Sequence, residues 1–331
     1  MTDQRFSALL VQQTGGGQAA GLAELSAGDL PDDGVLVRVT HSTLNYKDGL
    51  AVTGKGNVIR SYPMVPGIDL AGTVAESADD RFRPGETVFA TGWGLGEDRW
   101  GGYSQYERVP ADYLQRPPHG LDAADIMAFG SAGFTAALCV MELERHGFPR
   151  EGPIVVTGAS GGVGSVAIAL LAAAGHEVVA STGSANAHDY LRSLGAREII
   201  DRSVFSEPAR GPLGSRRWQG AVDTVGGATL AGLLRQMDYR SAVTAVGNAG
   251  GGRLETTVYP FILRAVGLLG VESVYTSMDE RIAAWERLAR VVPRDTLRAM
   301  TRTISLSGVP QAAESIVEGK VRGRTVVELD G

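Results

Sequence analysis

The chain is poor in the groups that most often carry metals, disulfides and nucleic acid. One cysteine, Cys139, occurs in 331 residues, which excludes an intrachain disulfide and a cysteine-built metal cluster and fits a reducing compartment. It stands in the apolar run 136–141 and reads as a core filler rather than a nucleophile. The five histidines, His41, His119, His146, His176 and His188, are scattered without ligand spacing, so no metal is expected. Lysine occurs only at 47, 55 and 320, and the formal charge is −6. An acidic balance argues against a nucleic-acid partner, which needs a basic face. The remaining cations are arginines, whose planar fork suits an anionic ligand. No basic and apolar leader opens the sequence, and no apolar run approaches the ~20 residues that span a bilayer. A cytoplasmic protein with no membrane partner is therefore expected, and internal repeats and low-complexity tracts are also missing.

What is present begins with size and hydrophobicity: 331 residues at 44% hydrophobic exceed one ordinary domain and predict two. The first 120 residues carry short alternating segments such as Val35–Val39, Gly72–Val74 and Thr87–Phe89, punctuated by Gly and Pro, the pattern of a partly open β-barrel. From about Asp122 long apolar helical spacing takes over. Strand and helix then alternate: Ile154–Thr157, Ser165–Gly175, Glu177–Ala180, His188–Leu194, Glu198–Ile200, Ala221–Val225, Ala228–Met237 and Ala242–Gly247. That alternation builds a parallel sheet with helices on both faces, an α/β class. Residues 206–214, rich in Pro, Gly and Arg, read as a loop. After a helix near Asp279–Val292, Thr301–Leu306 and Arg324–Leu329 read as strands again, so the tail is expected to rejoin the first domain.

The most informative run is Ile154-Val155-Val156-Thr157-Gly158-Ala159-Ser160-Gly161-Gly162-Val163-Gly164-Ser165-Val166-Ala167. A buried strand feeds a glycine turn and a helix start, so backbone N–H groups and the helix dipole can hold a pyrophosphate. The alternative is a tight strand–helix turn without ligand. An acidic residue at the end of the next strand would bind the ribose of NAD and repel a 2′-phosphate, yet this chain has Ser181-Thr182-Gly183-Ser184 there. Small hydroxyl residues, with Asn186, Arg197 and Arg202 in reach, favour NADPH; otherwise the serines cap the helix that follows. The same glycines fit the short-chain dehydrogenase pattern, but the Tyr-x-x-x-Lys pair of those enzymes is missing, since Thr43, Ala51 and Ile316 stand four before the lysines.

Several segments together resemble the medium-chain dehydrogenase/reductase superfamily. They are Ser42–Asp48, Thr53–Gly56, Pro63–Thr73, Thr91–Gly94, Trp100–Gly102, Ala132–Ala136, Val155–Ser165, Asp223–Gly226, Pro260–Arg264 and Gly323–Thr325. Their order is similar to the zinc-free quinone-oxidoreductase branch, and within it to the acrylyl-CoA reductase group. Zinc-dependent relatives carry Gly-His-Glu where this chain has Gly67-Ile68-Asp69. The resemblance implies a GroES-like partly open β-barrel from residues 1–122 and 296–331. It also implies a Rossmann-type doubly wound parallel sheet, binding NADP, from 123–295. The chemistry it implies is NADPH-dependent reduction of the activated C=C of an acryloyl-CoA-like thioester, an acyl-CoA substrate met by a homodimer. Reduction of quinones or enones is the alternative within the fold, and a non-catalytic NADPH-binding protein is the alternative outside it.

Tyr46 is the first candidate for donating a hydrogen bond to the thioester oxygen, and it also touches the cofactor; Asn45 is the second, orienting an amide or the substrate. Either can instead be structural, Tyr46 packing a barrel edge and Asn45 fixing a turn. Asp48 and Asp69 come next, with Asp69 positioning rather than donating, because an ordinary carboxylic acid has lost its proton at neutral pH. Trp93 and Trp100 flank a glycine-rich loop and either wall the substrate pocket or belong to the core. The resemblance also implies a substrate contact from Arg324. Cofactor contacts are expected from Ser160, Gly161, Gly162, Val163, Gly164, Ser165, Ser181, Thr182, Gly183, Ser184, Asn186 and Arg202. Asn248, Ile262 and Ser273 are added by the resemblance. The apolar run 258–263 and the strand 268–271 either expose a sheet edge for a two-fold partner or form core.

Overall fold

The computed structural model of the chain describes residues 5–147, 151–206 and 211–329. Its backbone separates into two units, Met1–Ser131 with Leu297–Gly331, and Ala132–Thr296.

In the first unit the alternating segments become β1 (Arg5–Thr14), β2 (Gly17–Ser26), β3 (Val35–Thr43), β4 (Asp69–Glu76), β5 (Thr87–Thr91) and β6 (Tyr106–Val109), with the short helix α1 (Tyr46–Thr53) after β3. β1 and β2 pair antiparallel from Arg5↔Ser26 to Thr14↔Gly17. β3 is the centre of the second sheet, pairing with β4 on one edge and β6 on the other. Its register against β4 shifts between Leu36 and Val37 and again between Val39 and His41. Bulges of this kind bend and twist a strand, which curls the sheet toward a barrel. Asn45 caps α1 at its start, and Gly54, in the left-handed region at φ 69°, ends it.

The helix α2 (Ala123–Arg145) breaks at Gly130, whose φ of 52° and ψ of −161° interrupt it. A Cβ at Gly130 would stand 2.6 Å from Arg324 Nη2 and 2.9 Å from Asp69 Oδ2, so only glycine fits. The unit boundary falls just after this break rather than at residue 122, because the backbone of Ser131 is bonded to Asp69 of β4. By length and composition alone α2 could cross a membrane, contrary to the sequence reading, but 83% of its apolar stretch is buried in the protein.

The second unit runs β7 (Ile154–Val156), α3 (Gly162–Ala173), β8 (Val178–Thr182), α4 (His188–Ser193), β9 (Glu198–Asp201), β10 (Trp218–Asp223), α5 (Gly227–Gln236), β11 (Met237–Ala245), α6 (Tyr259–Arg264), β12 (Gly267–Gly270) and α7 (Met278–Val291). The six strands are all parallel in the order β12-β11-β10-β7-β8-β9. Every residue of β7 and β8 is buried, as expected of central strands covered on both faces. The strand order reverses between β7 and β10, the place where such sheets bind ligands outside their carboxyl ends. Of the expected loop 206–214, residues 207–210 lie outside the described residues.

The helix α8 (Arg294–Ala299) leads to the tail, with β13 (Thr301–Ser305), α9 (Val309–Val317) and β14 (Arg324–Glu328). β14 pairs antiparallel with the end of β3, so the tail rejoins the first unit.

Candidate active site

Residues 157–165 of the second unit make a tight cradle. Gly161 N–H bonds Gly158 O at 2.9 Å, and α3 begins at Gly162, which leaves the first N–H groups of the helix facing outward without intrahelical partners. A Cβ on Gly164 would come within 2.6 Å of Gly158 O, so the helix start can press against the turn only without a side chain. The carboxyl ends of β7 and β10 are tied by Asp223. Its Oδ1 accepts Thr157 Oγ1 at 2.6 Å and its Oδ2 accepts Gly226 N–H at 2.8 Å. Burial, partly offset by these bonds, raises the pKa of Asp223.

Ser165, expected to touch the cofactor, is bonded within the protein. It is fully buried, its N–H is bonded to Gly161 O, and its hydroxyl faces Ala159 O and accepts from Tyr190 OH at 2.8 Å. It braces the cradle from behind.

At the end of β8 the structure separates the two arginines left open by the sequence. Arg197 pairs with Glu177 at 3.3 Å. Arg202, just past β9, lies over Gly183: a Cβ there would be 2.7 Å from Arg202 Nε and 3.1 Å from its Cζ. Among the described residues no ion pair engages Arg202, and Ser181 Oγ is buried without a hydrogen-bond partner. Thr182 Oγ1 accepts Ser184 N–H, and Ser184 precedes the short turn of helix at 185–187 without a side-chain capping bond. A buried hydroxyl without a partner near the end of β8, followed by an exposed glycine with the Arg202 guanidinium over it, fits a phosphorylated ribose. Asn186 stands exposed in that short turn.

Asn248, in the loop after β11, and Ser273, in the loop after β12, lie at carboxyl ends of the same sheet. Ser273 Oγ accepts Thr135 Oγ1 at 2.9 Å, and Arg281 holds the carbonyls of Ser273 and Val274. Ile262 is not gathered with them. It sits on α6, 67% exposed, among the exposed apolar residues Val258, Tyr259 and Leu263. The run expected as a sheet edge is therefore largely a helix, while β12 does form an edge.

In the first unit Asn45 joins a buried polar cluster. Its Nδ2 stands 2.7 Å from Thr43 Oγ1, 2.9 Å from Asp69 Oδ2 and 3.0 Å from Asp48 Oδ2, while its Oδ1 accepts Arg324 Nη1 at 3.2 Å. Asp69, fully buried, also accepts Thr43 Oγ1, Ser131 N–H and Ser131 Oγ. Asp48 accepts Asn45 N–H at 2.8 Å and Ile68 N–H at 2.9 Å. Burial, with Asp69 adding repulsion, pushes Asp48 up to about 7. Tyr103 OH donates to Thr43 O at 2.8 Å, and burial raises its pKa.

Two expectations change here. Arg324 is 2% exposed, and its Nε donates to Ala128 O at 3.0 Å, so it supports Asn45 from inside and does not meet a substrate at a surface. The Asn45 amide is engaged at both ends, which makes it a positioning group rather than one that orients substrate. Tyr46, the first residue of α1, is half-buried, and its hydroxyl makes no hydrogen bond among the described residues. Trp93 stacks on Tyr113 with centroids 4.8 Å apart, in the left-handed region at φ 56°. Trp100 Nε1 donates to Pro63 O at 3.1 Å, and its ring packs on the barrel core. No group of three or more His, Cys, Asp or Glu stands together among the described residues.

Sequence reasoning missed Thr43, Ser131 and Tyr103. Only the Gly130-Ser131 pair inside an apolar helix signalled one of them, as a polar interruption at a break.

Comparisons with known proteins agree with this division. Residues 31–119 match the alcohol dehydrogenase GroES-like domain, and residues 162–290 match the zinc-binding dehydrogenase domain. The chain is 52% identical over 329 residues to acrylyl-CoA reductase AcuI of Ruegeria pomeroyi, covering 98% of this chain and 99% of that protein. A crystal structure of Escherichia coli K-12 YhdH with bound NADPH has a TM-score of 0.95 at 50% identity, covering 98% of this chain and 100% of that one. Bacillus subtilis YhfP with NAD bound has a TM-score of 0.94 at 45% identity, covering 99% and 100%.

Proposed function

Since the chain belongs to the acrylyl-CoA reductase group of the medium-chain dehydrogenase/reductase superfamily, we propose that it reduces acryloyl-CoA to propanoyl-CoA with NADPH. The coenzyme, when bound, supplies the hydride that the β-carbon of the thioester receives. Its pyrophosphate is held by the N–H groups at Gly162, Val163 and Gly164, with Ser160 and Gly161 completing the turn. Its 2′-phosphate is held by Ser181, Thr182, Ser184, Asn186 and Arg202 across the bare backbone of Gly183. Asn248 and Ser273 contact the nicotinamide end.

The protein's part in the chemistry is charge stabilisation and proton delivery. As the β-carbon is reduced, negative charge gathers on the thioester oxygen, and a fixed donor there lowers the barrier by a few kcal/mol. Tyr46 is that donor, and its hydroxyl also passes the proton that the α-carbon needs. The observation that carries this reading is the contrast within the first unit: Asn45, Asp48, Asp69 and Arg324 are joined in one hydrogen-bonded cluster, while the hydroxyl of Tyr46, next in the chain to Asn45, makes no hydrogen bond among the described residues. Trp93 lines the substrate side.

The same reading makes the protein cytoplasmic and a homodimer. β12 is an edge strand, and Val258, Ile262 and Leu263 expose an apolar face on the helix before it, so a second copy is the partner that extends the sheet. The substrate assignment is tested by kcat/KM with NADPH for acryloyl-CoA against a simple quinone. A thioester site gains from remote CoA contacts, so the thioester is favoured; a quinone turned over as well or better would move the protein to the quinone reductases.

A further inference from the structure

One buried carboxylate has no part in the chemistry above, yet it fastens the residue next to the one that does. Asp48 lies in the third position of α1, two residues after Tyr46, and is 1% exposed. Its Oδ2 accepts both the backbone N–H and the side-chain Nδ2 of Asn45, and its Oδ1 accepts the N–H of Ile68, which precedes β4. One carboxylate thus fastens the N-terminal turn of α1 to the residue before that helix and to the start of a neighbouring strand. We propose that Asp48, as the carboxylate, is the positioning residue that fixes Tyr46 for proton donation. The inference rests on the reading of Tyr46 as the donor.

The geometry specifies the charge state that does this. All three groups that bond Asp48 are N–H donors, so a proton on either oxygen competes with them for its lone pairs and weakens the clamp that the carboxylate makes. The groups around it set when that happens. From β4 comes Asp69, a like charge, and from the segment before β6 comes Tyr103; Arg324 of β14 meets the cluster at Asn45 Oδ1. The α9 residues that meet α1 at Gly49 are the apolar Ile316 and Val317. Lys47, on α1 itself, is paired with Glu97 at 2.6 Å. Burial and Asp69 place the titration near neutrality. The clamp therefore closes as pH rises through this range.

The test measures the single-turnover rate of NADPH oxidation by acryloyl-CoA between pH 6 and 9 for wild type, Tyr46→Phe, Asp48→Asn and the double variant. Wild type is expected to rise at least about threefold to a plateau, and Asp48→Asn to be flat and about tenfold slower at that plateau, with KM for NADPH unchanged. In the Tyr46→Phe background the rise disappears and Asp48→Asn costs less than about twofold more, because a residue acting through Tyr46 has nothing left to position. Additive losses, or a rise that survives in Tyr46→Phe, would overturn the inference. A Tyr46→Phe variant as fast as wild type would instead remove the donor reading on which it stands. If Asp48→Asn does not fold, the pH profiles of wild type and Tyr46→Phe still decide between these outcomes.

Discussion

Replacing Gly183 by alanine should convert a strong preference for NADPH into a weak one without unfolding the protein. The new Cβ would sit 2.7 Å from Arg202 Nε, 3.0 Å from its Cδ and 3.1 Å from its Cζ, too close for the guanidinium to stay. Arg202 is exposed and no ion pair among the described residues holds it, so it swings away at little cost in stability. What is lost is a charge-assisted hydrogen bond to the 2′-phosphate, worth about 1.5–3 kcal/mol, or about 10- to 150-fold in Kd. NADH has no phosphate at that place and should bind as before. Titration of nicotinamide fluorescence with each coenzyme gives both constants, and Arg202→Ala should match Gly183→Ala. High salt should narrow the difference in wild type more than in either variant. Equal weakening of NADPH and NADH, or no change in either, would refute the placement of the phosphate under Arg202.

Two further outcomes follow from the buried cluster. Arg324→Met leaves Asn45 Oδ1 and Ala128 O without their donor and removes the cation near Asp69; a loss of about 3–5 kcal/mol is expected by chemical denaturation. Because Asp48 titrates at about 7 when folded against an ordinary 3.8, the native state binds its proton more tightly than the unfolded chain. That contribution to stability is full below about pH 4 and is lost as pH rises to about 7, by up to about 4 kcal/mol at 1.36 kcal/mol per unit. Asp48→Asn removes this loss, so its melting temperature relative to wild type should climb between pH 4 and 7 and level off above; a constant difference would contradict the assignment.

How much of this was legible beforehand depended on whether the signal was local. The strand, glycine turn and helix start from Ile154 to Gly164, the alternation behind the parallel sheet and the strand that returns to β3 all follow from short patterns whose physics is local. The polar cluster does not. Thr43, Asp48, Asp69, Ser131 and Arg324 are up to 281 positions apart, and only the pairing of β14 with β3 and the break at Gly130 bring them together. Arg324 therefore read as a ligand contact when its charge is needed inside. The partner of Ser165 is hidden for a related reason: a serine in a glycine-rich turn looks like a phosphate donor, and the Tyr190 hydroxyl that bonds it comes from α4. That Arg202 lies over Gly183 while Arg197 pairs with Glu177 depends on contacts between strands, which no spacing rule describes.

The central claim, that this chain uses phosphorylated nicotinamide to saturate an enoyl thioester, is tested most directly by one turnover of the purified protein. NADPH-loaded enzyme is mixed with acryloyl-CoA, the loss of reduced-nicotinamide absorbance is followed, and the product is identified by mass. Stoichiometric formation of propanoyl-CoA, with a kcat/KM above that for a simple quinone, is the predicted result. Bound NADPH that stays reduced in the presence of the thioester would contradict the account.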